Sequence, residues 1–391
     1  MASSRRSFLE HSVMTSAALA FGVVTESMLA GRTDNAYPEG AVIIDRNENP
    51  IGPCQAARDA IARITPQGGR YFPNLTDELI AIFARKEGLK AEYVAAFPGS
   101  SEPLHHSVMT FTSREKSFVT ADPGYEAGMY AADRAGARVV KVPPTKDYAH
   151  DVRGMLEAAP DAGLFYICTP NNPTGTVTSL SDITYLVEHK PKGSIVLVDE
   201  AYVHFADTRS AIDLVKADLD VIVLRTFSKI YGMAGLRCGI ALARPDLLEK
   251  VVQYGGWNAM PVTALAAAIA SLKDEPLVAE RKRINATIRA ATFRWLDRHG
   301  YTYIPSQANF FLLDTKRPGK DVIERMAAEN VFIGRVWPVM PNWVRITVGT
   351  QQDMERFQVA WDRVMASAAV GKVREGRKSS RLDLDGTVVP A

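Results

Sequence analysis

Residues 226–239 read Thr-Phe-Ser-Lys-Ile-Tyr-Gly-Met-Ala-Gly-Leu-Arg-Cys-Gly, with Lys229 the only lysine of the stretch. The apolar run Val-Ile-Val-Leu precedes it at 221–224, and the run Ile-Ala-Leu-Ala follows it at 240–243. Short apolar runs bounded by turn residues are typical of buried strands. The pattern therefore predicts that Lys229 lies at the end of a strand and faces a cleft.

Two apolar runs further upstream also end in polar residues. Residues 164–168 lead into Thr-Pro-Asn-Asn-Pro-Thr-Gly at 169–175, and residues 195–198 lead into Asp-Glu-Ala-Tyr at 199–202. Helical patterns separate the strands, and this alternation predicts βαβ units and a mainly parallel sheet. Because open α/β sheets bind ligands at the carboxyl ends of their strands, we expect these polar side chains to meet in one site.

The residue types at these strand ends suit pyridoxal 5'-phosphate (PLP). A lysine amine can form a Schiff base with this cofactor, and a carboxylate can keep the ring nitrogen protonated, so that the ring withdraws electrons. Lys229 and Asp199 are the candidates for these roles. The ordered motifs N-N-P-T-G, D-E-A-Y, S-K and G-L-R-C-G resemble the fold-type I aminotransferases, most closely the histidinol-phosphate aminotransferases, over residues 43–366.

The resemblance implies an aspartate-aminotransferase-like α/β fold, with a mainly parallel seven-stranded sheet in a large domain and a smaller α+β domain beside it. A length of 391 residues also favours two domains. The final residues are polar and aperiodic, a composition typical of disorder. We therefore divide the chain into a signal segment at 1–30, an N-terminal arm partly in the small domain at 31–70, the PLP-binding domain at 71–270, the small domain at 271–369 and a disordered tail at 370–391.

The resemblance also implies roles around the cofactor. Lys229 would carry it and then move the substrate proton, while Asp199 would hold the ring nitrogen. Asn172 and Tyr202 would contact the phenolic oxygen, and Tyr125 would stack on the ring. The phosphate would bind at a strand–turn–helix junction, where backbone N–H groups are free, and on nearby side chains. These phosphate contacts are Gly99, Ser100, Ser101, Thr226, Ser228 and Arg237, with Tyr71 from the neighbouring subunit of a homodimer.

Three further residues are candidates for substrate binding. The segment Trp-Val-Arg-Ile-Thr-Val-Gly-Thr at 343–350 resembles the carboxyl-terminal signature of the family, in which Arg345 would bind the substrate α-carboxylate bidentately. Arg335 matches the position that binds a substrate phosphate, and Asn309 a substrate-proximal one. Trp257 and Trp337 either wall an aromatic pocket or pack in a core or interface.

The function implied is that of a PLP-dependent aminotransferase. It would exchange the amino group between an L-amino acid, with aromatic ones favoured, or a related amine such as histidinol phosphate, and a 2-oxo acid. Other reactions on the same fold, catalysed by decarboxylases, lyases and oxidases, share the lysine and the aspartate and stay open. A non-catalytic PLP-binding protein is a weaker alternative, because such proteins usually carry an added DNA-binding domain.

The near balance of positive and negative residues favours small molecules as binding partners. Lys and Arg number 46 against 44 Asp and Glu, so no excess of charge favours nucleic acid or an anionic membrane. The 3 cysteines make no disulfide framework, and we predict no metal site.

The N-terminus predicts export. Residues 4–10, Ser-Arg-Arg-Ser-Phe-Leu-Glu, match the signal that the twin-arginine translocase reads. The apolar stretch that follows, at 13–30, is too interrupted for a membrane span. We therefore expect a periplasmic or otherwise exported enzyme. An ordinary first helix, in a cytoplasmic protein, is the alternative.

Overall fold

The structure is a computed structural model that describes Val24 and residues 26–29, 37–255 and 260–378. The twin-arginine motif, Trp257 and residues 379–391 lie outside the described residues. The strands are β1 Val42–Ile44, β2 Val94–Phe97, β3 Ser117–Ala121, β4 Val139–Val142, β5 Ala162–Cys168, β6 Ile195–Asp199, β7 Val221–Thr226, β8 Gly239–Leu242, β9 Phe310–Asp314, β10 Val331–Ile333 and β11 Trp343–Thr347.

The helices alternate with these strands over most of the chain. They are α1 Glu26–Leu29, α2 Gln55–Ile64, α3 Pro73–Glu87, α4 Ser101–Phe111, α5 Ala127–Arg134, α6 Val152–Ala158, α7 Leu180–His189, α8 Ile212–Lys216, α9 Pro245–Val252, α10 Val262–Lys273, α11 Leu277–Arg298, α12 Gly319–Ala328 and α13 Gln351–Lys378. Short 3-10 turns lie at Thr65–Gln67, Ala91–Tyr93 and Val203–Phe205. None of the described helices combines the length with the apolar character that a membrane span requires.

Seven strands form the large sheet, in the order β2-β8-β7-β6-β5-β3-β4. Only β8 runs antiparallel to its neighbours, and the other pairings are parallel. Every residue of β3, β5, β6, β7 and β8 is buried, because helices cover both faces of the sheet. This explains why the sequence shows continuous apolar runs in place of alternation. The predicted seven-stranded, mainly parallel sheet is confirmed.

A second hydrophobic core lies under two small sheets. In one, β1 pairs in parallel with β10, and in the other β11 pairs antiparallel with β9. Helix α11 joins the two cores, since Leu277 packs in the large one and Leu296 in the small one. The N-terminal arm also touches both, because β1 belongs to the small core whereas Ala57 of α2 packs in the large one.

The last helix extends further than the sequence predicts. Helix α13 continues to Lys378 and so includes the first residues of the predicted disordered tail. Lysine, arginine and glutamate make up most of residues 370–378, and all three are good helix formers.

Candidate active site

A cavity of about 320 Å³ opens at the carboxyl ends of β5, β6 and β7. These strand ends are level because Cys168 pairs with Asp199, which in turn pairs with Leu224. The loops that follow the strands therefore open into one place. The cavity wall includes the predicted residues Ser100, Ser101, Tyr125, Asn172, Asp199, Tyr202, Thr226, Ser228, Lys229 and Arg237.

One corner of the cavity is suited to a phosphate. Helix α4 begins there at Ser101, and its first N–H groups have no partner within the helix. Arg237 donates from Nη1 to Ser228 Oγ at 3.3 Å, and Thr226 Oγ1 donates to the same oxygen at 3.0 Å. Gly99 has φ +94°, and a Cβ there would lie 2.2 Å from Arg237 Nη2. Only glycine therefore lets the guanidinium approach this turn.

Asp199 lies at the opposite side and is held at both carboxylate oxygens. The Tyr166 hydroxyl donates to Oδ2 at 2.9 Å, and the Ala201 N–H donates to Oδ1 at 3.1 Å. Burial raises the pKa of Asp199 to about 6, although both hydrogen bonds act in the opposite direction. Such a fixed, desolvated carboxylate is suited to a cationic N–H partner. Sequence reasoning missed Tyr166, because it lies inside an otherwise apolar strand.

Lys229 is a buried residue of the cavity wall. Its Nζ donates to Arg46 O at 3.4 Å and lies 5.5 Å from the centre of the Tyr202 ring. Burial lowers the pKa of the Lys229 amine to about 8, an effect that Glu26 opposes and Arg345 reinforces. A substantial fraction of this amine is therefore neutral near pH 8, as a nucleophile or base requires.

Tyr202 links the cavity to a loop of the N-terminal arm. The Asn47 Nδ2 donates to the Tyr202 hydroxyl at 3.2 Å. Asn309 donates from Nδ2 to Asn47 O at 3.2 Å and to Glu48 O at 3.4 Å. Asn309, which the sequence predicts to lie near the substrate, therefore does not line this cavity. It stabilises the loop through hydrogen bonds to two backbone carbonyls.

Arg345 is fully buried and does not itself line the cavity, but its guanidinium contacts Asn172 and Glu26, which do. Its Nη1 donates to Asn172 Oδ1 at 2.8 Å, and its Nη2 donates to Asp45 O at 2.9 Å. The same Nη2 donates to Glu26 Oε1 at 2.6 Å. Trp337 packs on this group, with the guanidinium carbon 5.4 Å from the ring centre.

Of the residues that the structure describes in the predicted signal segment, Glu26 is the one that lines the site. Its second oxygen accepts from Asn172 Nδ2 at 3.3 Å, and the backbone N–H of Val24 donates to His105 Nε2 at 3.1 Å. Burial opposes the ionisation of Glu26, but Arg345 and Arg335 outweigh burial and lower its pKa. A carboxylate of the chain itself thus contacts Arg345. The sequence offered one signal for it, since Glu26 is the only charged residue of the stretch 13–30.

The other two predicted residues are arranged differently. Arg335 pairs with Glu126, which accepts from both Nη1 at 3.0 Å and Nη2 at 2.8 Å. Tyr71 is 88% exposed and takes no part in the cavity wall of its own chain.

Comparisons with known proteins agree with this geometry. Residues 41–360 match the family model of the class I and II aminotransferases. The chain belongs to this family. A histidinol-phosphate aminotransferase of Moorella thermoacetica is 32% identical over 333 residues, or 82% of this chain and 84% of the relative. An aromatic amino acid aminotransferase of Cutibacterium acnes is 32% identical over 325 residues, or 82% of this chain and 92% of the relative.

Solved structures share the fold. A histidinol-phosphate aminotransferase from Sinorhizobium meliloti, in complex with PLP, has a TM-score of 0.76 at 26% identity and covers 89% of this chain and 95% of its own. A mutant aspartate aminotransferase from Thermus thermophilus has a TM-score of 0.73 at 19% identity, covers 88% of this chain and 99% of its own, and supports the fold alone. The protein is therefore a PLP-dependent aminotransferase of the aspartate aminotransferase fold, as the sequence predicted.

The cavity fits PLP at both of its ends. The helix start, Arg237 and the hydroxyls beside it provide for the phosphate, and the desolvated Asp199 provides for the ring nitrogen. Lys229 lines the same cavity.

Proposed function

We propose that this aminotransferase moves the amino group of an aromatic L-amino acid to a 2-oxo acid, with Arg345 as the α-carboxylate site and Lys229 as the proton carrier. The observation that carries the proposal is the fully buried guanidinium of Arg345, held by Asn172 and Asp45 and already in contact with a carboxylate, that of Glu26. A planar fork of this kind binds a carboxylate through parallel hydrogen bonds.

The residues divide the chemistry between them. PLP, when bound, supplies a ring that withdraws electrons from the substrate carbon. Asp199 keeps the ring nitrogen protonated through its ionised carboxylate, which Tyr166 holds in place. The amine of Lys229 accepts the α-proton and returns it, which its lowered pKa favours. Arg345 fixes the substrate orientation so that this proton lies near the amine.

An aromatic side chain is the favoured occupant of the remaining space. Tyr125 and Tyr202 line the cavity, and the buried Trp337 ring packs against Arg345 and Arg335, so the surroundings of the carboxylate site are partly aromatic. One relative is named an aromatic amino acid aminotransferase, which supports this class, and another is named a histidinol-phosphate aminotransferase. Export of the enzyme would also separate it from histidine biosynthesis, which is cytoplasmic.

Arg345 argues against decarboxylation on the same site. The buried guanidinium would hold the substrate carboxylate in place through paired hydrogen bonds, which disfavours its departure as carbon dioxide. Release of carbon dioxide or hydrogen peroxide without exchange of the amino group would show that the enzyme is not a transaminase toward that substrate.

The deciding experiment adds L-amino acids one at a time to the holoenzyme without any oxo acid. Loss of the yellow absorbance of the cofactor, followed by its return on addition of a 2-oxo acid, is the expected result for aromatic donors. The Lys229→Ala variant should show neither change at a comparable rate, because it has no proton carrier. Full turnover by this variant, or bleaching only by non-aromatic donors, would contradict the proposal.

We also propose that the enzyme works as a homodimer in which Tyr71 completes the partner's phosphate corner. The support is its exposure in the single chain, which is unusual for a tyrosine without a partner surface. A mixture of Tyr71→Ala and Lys229→Ala subunits should recover activity that neither variant has alone. No recovery after subunit exchange, verified by sedimentation, would refute a shared site.

Export through the twin-arginine route is likewise proposed. The support is the Arg5-Arg6 pair with the apolar stretch behind it. Replacement of both arginines by lysine should shift the protein from the periplasmic to the cytoplasmic fraction. Cytoplasmic retention of the natural chain would contradict export.

A further inference from the structure

The loop after β10 fixes the position of Arg335. The guanidinium carbon of Arg335 lies 4.4 Å from the centre of the Trp337 ring, and Trp337 Nε1 donates to Gly124 O at 3.0 Å. The backbone ties it to the carboxylate site, because the N–H of Arg345 donates to Arg335 O at 3.3 Å. Arg335 therefore has little freedom to turn toward or away from a ligand.

Glu126 occupies the hydrogen-bonding edge of this guanidinium. It directly precedes helix α5, and its oxygens accept from Nη1 at 3.0 Å and from Nη2 at 2.8 Å. The side chains of Arg335 and Glu126 are only 13% and 21% exposed, so water screens the pair weakly. The remaining donor, Nε, lies 3.8 Å from Glu26 Oε1. Glu126 thus occupies the paired Nη1–Nη2 edge of Arg335, and within the described part of the chain only Nε is left without a hydrogen-bond partner.

The charges of this cluster of four side chains balance in this arrangement. Two guanidinium groups, of Arg335 and Arg345, face two carboxylates, of Glu26 and Glu126. When a substrate α-carboxylate takes the place of Glu26 on Arg345, the balance is kept. A substrate with a second anionic group would either break the bidentate pair or place like charges side by side, and both are costly where water is excluded.

We propose that Glu126 is a specificity-determining residue that closes the Arg335 subsite to donors with a phosphate or carboxylate on the side chain. This inference rests on the proposed function. It corrects the expectation that Arg335 binds a substrate phosphate, and it gives a physical reason for preferring uncharged aromatic donors. Glu126 acts here by repelling the wrong substrate, since it offers nothing specific to the right one.

The test compares L-phenylalanine with L-glutamate and O-phospho-L-serine as amino donors to holoenzyme. In Glu126→Gln, the ratio of kcat/KM for each anionic donor to that for L-phenylalanine should rise about tenfold or more, as removal of a like charge predicts. The matched control Glu157→Gln removes the same charge from an exposed position on α6 and should leave the ratio unchanged. The double variant Glu126→Gln/Arg335→Gln should lose the gain, because the freed guanidinium provides it.

Binding of unreactive analogues tests the same point without turnover. Glutarate and 3-phenylpropanoate are L-glutamate and L-phenylalanine without their amino groups. Their dissociation constants can be measured from changes in the cofactor absorbance. The natural enzyme should bind 3-phenylpropanoate more tightly, and Glu126→Gln should gain affinity for glutarate alone. A ratio in the variant within about twofold of the natural enzyme, in turnover or in binding, would overturn the inference. If no donor reacted with any variant, the proposed function would fail, and the binding pair would still decide the role of Glu126.

Discussion

Replacement of Arg345 by lysine is the sharpest test of the carboxylate site. The natural guanidinium uses Nη1 on Asn172 Oδ1 at 2.8 Å and Nη2 on Asp45 O at 2.9 Å, and the same edge contacts a carboxylate. A lysine keeps the positive charge, but its single nitrogen cannot hold both anchors and also bind a substrate through two parallel bonds. The variant therefore removes the fork and preserves the charge.

The expected loss follows from the bonds removed. One charge-assisted hydrogen bond contributes a net free energy of about 1.5–3 kcal/mol, which corresponds to about a 10- to 150-fold decrease in kcat/KM. Because the carboxylate is bound before and during proton transfer, we expect most of the change in KM.

The assay is a single-turnover reaction of holoenzyme with L-phenylalanine in the absence of oxo acid, followed by the cofactor absorbance over a range of concentrations. Two controls separate the carboxylate contact from general damage. The slow reaction of 2-phenylethylamine, which lacks the carboxylate, should be unaffected. Arg289 is a partly buried arginine that donates to Ala308 O, and Arg289→Lys should leave both reactions unchanged. A kcat/KM for L-phenylalanine within about threefold of the natural enzyme, or an equal loss with the amine, would refute the reasoning.

Three further predictions follow from single contacts. Tyr166→Phe removes a hydrogen-bond donor from Asp199, whose pKa burial already raises to about 6, so the pKa of Asp199 should rise further. Without cofactor, the variant and the natural protein should melt at similar temperatures at pH 5, where Asp199 is protonated in both proteins. At pH 8 the free energy of unfolding of the variant should be about 1–2 kcal/mol lower than that of the natural protein. An equal difference at both pH values would contradict this. Gly99→Ala should weaken PLP binding about tenfold or more in equilibrium dialysis, because the new Cβ meets Arg237; unchanged affinity would show that the phosphate corner lies elsewhere. In the chain that retains its N-terminal segment, Glu26→Gln should lower KM for amino donors about threefold or more, since it removes a competing charge from the carboxylate site, and an unaltered KM would exclude such competition.

Much of the fold could be read from local sequence. The sequence predicts helices over 55–64 and 262–273, which are the bounds of α2 and α10, and the strands at the centre of the large sheet appear as continuous apolar runs. This worked because burial on both faces of a sheet leaves a signature that needs no knowledge of neighbours. The end of α13 was missed, because a polar helix and a polar tail have similar composition.

The sequence by itself also determined which strand ends carry the chemistry. Asn172, Asp199 and Lys229 follow three buried strands, and the geometry of a parallel sheet requires such ends to meet. Short-range order along the chain was therefore sufficient for the cofactor side of the cavity.

Only the tertiary structure decided how the charged groups of the substrate side pair. Arg335 meets Glu126 from a different domain segment, Arg345 meets Glu26 from the N-terminus, and Asn309 turns to the backbone of the arm. These partners are hundreds of residues apart, so no local pattern specifies them, and a side chain that could serve a ligand can equally serve its own chain. The difference between a free arginine and a paired one is a matter of a few ångströms, and packing alone fixes that distance.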